Sequence, residues 1–195
     1  MARFDLALTK TLRWEGGETV DTGGYTKWGI SQKAFPNLDI KNLTMDQAKT
    51  IYKNNYWDPI KGDLIHRQDV ANNLFDFAVN SGVSQAVKTM QRVLNFKGDD
   101  IDGKLGPMTL NAINKAGTQL ANIYSGARID FYKSLVKSEP EKYGAYLVGW
   151  LRRVNDFGVN LATASKGGAV FFFALFAILG LNKINQNRKR PNYGK

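Results

Sequence analysis

Apolar positions along most of this chain recur at helical rather than strand spacing. Phe4, Leu8, Thr11 and Leu12 fall on one face of a helix over residues 4–14, and Gly16-Gly17 end it just after Glu15. Residues 19–31 break the pattern, being rich in glycine and threonine, and predict a short β-hairpin. Thr44-Met45-Asp46-Gln47 has the form of a capping box and opens a helix carrying Ala48, Ile51, Tyr52 and Tyr56 on one face, with Pro59 at its end. Val70, Leu74, Phe77 and Ala78 predict a helix over residues 69–80 that Gly82 stops; Ser84 is expected to cap the next, with Val87, Met90 and Leu94 inside. Pro107 begins a short helix with Leu110 and Ile113, and Leu120, Tyr124, Ala127, Phe131 and Leu135 stripe a longer one. A last amphipathic piece over residues 143–153 gathers Tyr146, Leu147, Trp150 and Leu151, with Val154 just beyond. The expected fold class is mainly α with a small hairpin.

The pattern changes again beyond residue 160. Residues 167–181 carry no charge. As a helix they would reach about 22 Å, short of the roughly 30 Å hydrocarbon core of a bilayer. Starting at Ala162 and letting Lys166 reach the interface supplies the missing length, so residues 161–182 are expected to form a hydrophobic C-terminal helix that contacts membrane lipid through 162–182. A buried or partner-docking helix is the alternative. Residues 183–195 would follow as a basic tail at an anionic surface. Met1-Ala2-Arg3-Phe4-Asp5 lacks the apolar run and cleavage site of a signal peptide, so the product is expected to start in a cytoplasm. Positive residues prefer the cytoplasmic side, which sets the anchor at odds with a body that acts outside it. A virus particle with a lipid membrane removes that conflict and would place the chain among virion proteins.

Composition narrows the chemistry. The 195 residues suffice for one full domain with a small appendage, and 43% hydrophobic with 23% charged residues is ordinary for a globular chain. There is no cysteine and a single histidine, His66, so neither a disulfide nor a thiolate or histidine metal site is expected, and no cofactor is needed. Half of the +10 net charge sits in the tail, on Lys183, Arg188, Lys189, Arg190 and Lys195. The body is therefore only mildly basic, and without a zinc-finger, basic-zipper or RNA-recognition motif no specific nucleic-acid partner is expected. Asp99-Asp100-Ile101-Asp102-Gly103 is a turn rather than a calcium loop, because Lys104 and Asn111 stand where an EF-hand requires ligands.

The densest chemistry lies near the start. Cleaving a glycosidic bond needs a carboxylic acid that stays protonated and a second polar group that activates water or stabilises positive charge on the sugar. Glu15 suits the first role: it follows Trp14, whose ring can help desolvate it, and it lies at the negative end of a helix dipole. Gly16-Gly17 and Gly23-Gly24 leave room for a sugar. Asp21 is the expected base or charge stabiliser, ahead of Glu18, and Thr26 can hold a water through its hydroxyl.

These residues form part of a longer pattern. Glu15-Gly16-Gly17 and Asp21-Thr22-Gly23-Gly24-Tyr25-Thr26-Lys27-Trp28-Gly29-Ile30-Ser31 resemble the opening blocks of the glycoside hydrolase family 108 muramidases of phages and bacteria. Tyr56-Trp57-Asp58-Pro59, residues 74–82, residues 102–109 and Gly149-Trp150-Leu151-Arg152-Arg153-Val154 resemble later blocks in the same order, over about residues 4–157. The resemblance implies a lysozyme-like helical fold, with a catalytic part at 1–83 and a peptidoglycan-binding part at 84–160. It also implies cleavage between N-acetylmuramic acid and N-acetylglucosamine, with Glu15 as the essential acid. One departure is Glu18, where the family usually has an aromatic residue. Gly24, Tyr25 and Trp28 are expected to contact substrate. Asp76 and Asn80 either line the cleft with them or are buried polar groups bonded to a neighbouring helix. A lytic transglycosylase, or a non-catalytic wall-binding or membrane structural protein, shares the same features.

Overall fold

The computed structural model describes residues 1–21 and 24–158. The expected C-terminal helix at 161–182 and basic tail at 183–195 lie outside the described residues; among the described residues no helix is long and apolar enough to cross a membrane.

The architecture is mainly helical with one small sheet. Helix α1 (Phe4–Leu12) ends in a turn where Trp14 N donates to Thr11 O and Glu15 N to Leu12 O, and Gly16 takes the left-handed φ of +72° that lets the chain reverse. Three antiparallel strands follow: β1 (Glu18–Asp21), β2 (Gly24–Lys27) and β3 (Ile30–Ser31), in the order β1-β2-β3. The expected hairpin is thus extended by a third strand, with Thr26 opposite both Thr19 and Ser31.

Helix α2 (Met45–Tyr52) starts at the capping box read from the sequence: Thr44 accepts from Gln47 N, and Gln47 returns the bond to Thr44 N. Past Tyr52 the helix widens into a π turn, Lys53–Trp57, which buries Trp57 completely. Helix α3 (Gln68–Ser81) is the centre of the molecule and packs against α1, α4 (Val83–Val93) and α6 (Leu120–Ser138). Gly82, at φ +88°, is at once the last cap of α3 and the first of α4, so Ser84 lies inside the helix and does not cap it as expected. Helix α5 (Pro107–Lys115) opens on proline at its first position, where a missing N–H costs nothing. The final amphipathic piece divides into α7 (Pro140–Tyr143), a single 3₁₀ turn and α8 (Leu147–Asp156), and the break leaves Tyr146 58% exposed rather than in the core.

One hydrophobic cluster runs through all of this. It includes Leu8, Tyr52, Trp57 and Leu74 from the first half and Val87, Ile113, Tyr124 and Val154 from the second. Gly62 lies flat against the indole of Trp57, whose Nε1 donates to Asp63 at 2.8 Å. A Cβ at Gly62 would overlap the ring in a space already filled. Gly62→Ala is therefore expected to destabilise the fold by about 1–3 kcal/mol, measured as a lower urea midpoint with an unchanged slope.

Candidate active site

Glu15 sits just past the end of α1 with its side chain 16% exposed. From beneath, Arg153 of α8 donates through Nη2 to Glu15 Oε1 at 2.6 Å. The same guanidinium holds Asp76 of α3: Nε lies 3.0 Å from both carboxylate oxygens, and Nη2 lies 2.8 Å from Oδ1. Asp76, which has no exposed surface, also accepts from Arg128 Nη2 of α6 at 2.8 Å. Arg128 in turn donates to Asn73 Oδ1 at 2.5 Å and, through the hydroxyl of Tyr132, connects to Asn80. Its Nε has no hydrogen-bond partner among the described residues, but the guanidinium lies over the Phe77 ring at 4.9 Å.

From above, the acid meets the turn between β2 and β3. Trp28 and Gly29 both have positive φ, +49° and +75°. Trp28 is held there because its carbonyl accepts from the Tyr52 hydroxyl at 2.7 Å. A Cβ on Gly29 would lie 2.6 Å from Glu15 Oε2 and 2.8 Å from the Tyr52 oxygen, so only glycine fits over the carboxyl. Beside it is a cavity of about 30 Å³ lined by Glu15, Ser31, Tyr52, Tyr56 and Val79 among others, room for about one water. A larger, open groove of about 640 Å³ along α1 and Met45 does not include Glu15.

Electrostatics suit a proton donor. Burial raises the Glu15 pKa, the Arg153 charge and hydrogen bond pull against it, and the Asp76 carboxylate adds to the rise; the balance is upward. Burial, and then the nearby Glu15, also raise the Tyr52 and Tyr56 phenols, so both remain neutral hydroxyls.

The structure sorts the residues expected from sequence. The Trp14 indole Nε1 donates to Asp156 Oδ2 at 2.9 Å, tying the turn after α1 to α8. Tyr25 donates to Glu18 Oε2 at 2.5 Å, and Lys27 lies 3.3 Å from the other Glu18 oxygen. The Tyr25 bond and then Lys27 lower the Glu18 pKa, which keeps it a paired anion on the strand edge. Gly24 starts β2 with φ +95°, Thr26 is half-buried beside it, and the Trp28 ring lies under Lys27 Nζ at 4.8 Å. Asp21 ends β1 with its Cα opposite Gly24, and its side chain lies outside the described part of the structure. Asp76 and Asn80 do not line the cleft. Asp76 reaches the acid from behind through Arg153, and Asn80, 9% exposed, accepts from the Tyr132 hydroxyl.

Residues 8–82 match the family profile described as Glycosyl hydrolase 108. That segment is similar to the domain of glycosyl hydrolase family 108. Residues 85–155 match a second profile, Predicted Peptidoglycan domain. A similar solved structure is that of Brucella abortus SagA, with a TM-score of 0.61 and 28% identity over 82% of this chain and 97% of that one. No curated protein matches the chain. With these two matched segments the chain is a glycoside hydrolase that acts on peptidoglycan of the bacterial cell wall.

Arg153, Arg128, Tyr52 and Gly29 complete the candidate site around Glu15 and were not singled out by sequence as site residues. The arginines did carry a signal. Arg128 falls one turn after Tyr124 and one before Tyr132 on a buried stripe, and Asp76 interrupts another; charges of opposite sign on two apolar faces suggest a pair. Gly29→Ala is expected to leave the helical content intact while lowering kcat by roughly a hundredfold, since the added methyl displaces Glu15 Oε2. Circular dichroism alongside a peptidoglycan turbidity assay checks both halves of that statement.

Proposed function

We propose that this hydrolase is an N-acetylmuramidase, cleaving the β-1,4 bond between N-acetylmuramic acid and N-acetylglucosamine with Glu15 as general acid. The observation that carries this reading is a buried carboxyl of raised pKa beneath a turn where only glycine fits. Protonated Glu15 gives its proton to the glycosidic oxygen as the bond to the sugar carbon breaks.

The second group comes from the hairpin. Among the described side chains the acid nearest Glu15 through bonds is Asp76, which is shielded behind Arg153, and Glu18 is tied to Tyr25 and Lys27. Asp21 is therefore the base or stabiliser of this proposal, with Thr26 holding the water and Gly24, Tyr25 and Trp28 forming the rim the sugar passes. Lytic transglycosylation uses the same single acid but closes the product into an anhydro sugar.

Glu15→Gln is expected to lower kcat by about 10²–10⁴-fold on purified peptidoglycan, with a reducing N-acetylmuramic acid end on the parent's products by mass spectrometry. Undiminished clearing by the Gln variant would remove Glu15 from the mechanism, and anhydro products would make the enzyme a transglycosylase. Because the acid works protonated and its pKa is raised, the alkaline limb of kcat/KM is expected at higher pH than an ordinary glutamate would give.

The proposal also includes the setting: a phage enzyme, used in lysis or carried in a membrane-containing virion, held to lipid by residues 162–182. The full chain is expected to float with anionic vesicles, and replacing Phe171, Phe172 and Phe173 by serine is expected to leave it at the bottom of the gradient.

A further inference from the structure

Arg153 is the only guanidinium among the described residues that bonds Glu15, and it comes from the segment matched as a peptidoglycan domain. Its orientation is fixed from the far side. Nε and Nη2 grip Asp76 with three contacts of 2.8–3.0 Å, and Asp76 is pinned by Arg128 from another helix. Arg153 is 6% exposed and Asp76 and Arg128 are fully buried, so these bonds are shielded from bulk water.

That geometry constrains the proton on Glu15. A guanidinium has donors and no acceptor, so an oxygen facing it accepts. A protonated carboxyl keeps one oxygen as acceptor and turns the other into an O–H donor. Oε1 is the oxygen held by Arg153 Nη2; Oε2 is the one that lies against the Gly29 backbone, close to where a Cβ would stand. We infer that Arg153 is a positioning residue that fixes the transferable proton of Glu15 on Oε2, the oxygen beside Gly29, and that Asp76 and Arg128 hold it in that role. This rests on reading Glu15 as the general acid.

The same pairing prepares the site for the proton to leave. The groups that face Glu15 are Arg153 from α8, Asp76 behind it on α3, Tyr52 from α2 and Tyr56 from the π turn. Burial opposes the Glu15 anion, and Arg153 favours it. With Glu15 protonated, the buried set holds two guanidiniums and one carboxylate. When Oε2 passes its proton to the leaving oxygen, and the electrons of the broken C–O bond go to that oxygen, Glu15 becomes the second carboxylate and the charges balance. Burial of Arg153 works against its own charge, but Asp76 and then Glu15 outweigh that and hold it well above the range in which it could lose a proton. It therefore remains a donor throughout.

The test combines one measurement on the parent with two variants. In the parent, a nitrogen-resolved NMR signal from the Arg153 Nη2 proton should persist while the Glu15 side-chain carbon titrates; its loss on protonation would put the proton on Oε1 and overturn the proposal. Arg153→Gln should shift the alkaline limb of kcat/KM to higher pH, since it removes the pull that lowers the Glu15 pKa. It should also reduce kcat by about tenfold or more with KM little changed. Arg153→Lys, which restores the charge without the fork, should bring the limb back and recover only part of kcat. A folded Arg153→Gln protein with the parent's limb and kcat would refute the positioning role, while an inactive Glu15→Gln protein in the same experiment would leave the acid assignment standing. An active Glu15→Gln protein would overturn both. If Arg153→Gln does not fold, the NMR titration of the parent still decides.

Discussion

Four ionisable side chains, Glu15, Asp76, Arg128 and Arg153, share a space from which water is nearly excluded and join the turn after α1 to helices α3, α6 and α8. Burying such groups is costly unless each is paired and oriented, and removing one member leaves a bare charge behind, at about 3–5 kcal/mol. The arrangement therefore demands that the turn after α1 and helices α3, α6 and α8 stand in one relation to each other. Apolar packing would tolerate small rotations of α8 on α6. A guanidinium that must grip a carboxylate with two nitrogens does not.

The turn over Glu15 is built against this rigid floor. Tyr52 holds the Trp28 carbonyl and so keeps two successive residues at positive φ, a conformation that an isolated turn would hold poorly for a side chain as large as tryptophan. What results is a carboxyl clamped by a cation on one oxygen and capped by bare backbone near the other. Desolvation and the Arg153 charge act on Glu15 in opposite directions, and desolvation prevails, so the pKa stays raised.

Much of this was legible in the chain. The Thr44 capping box, the stop at Gly82 and the proline start of α5 are local signals, each satisfied within a few residues, and the structure contains them all. Ser84 misled because Gly82 already serves both helices. The site divided along the same line. Glu15 beside two glycines is a local pattern. The role of Asp76 depends on Arg153, 77 residues away, and no spacing rule joins positions at that distance. Nor does spacing reveal the bond from the Trp14 indole to Asp156, 142 residues on.

The shared core has a consequence for how such enzymes can be recombined. Segments matched as a hydrolase and as a peptidoglycan domain look like exchangeable cassettes, one for chemistry and one for targeting. Here the junction passes under the carboxyl of Glu15, because the last helix of the second segment supplies the cation that touches it. A chimera that replaces residues 85–155 exchanges the partner of Glu15 along with the segment matched as a peptidoglycan domain. Only donors that place an arginine at the Arg153 position, and leave Asp76 its Arg128, would be compatible spare parts.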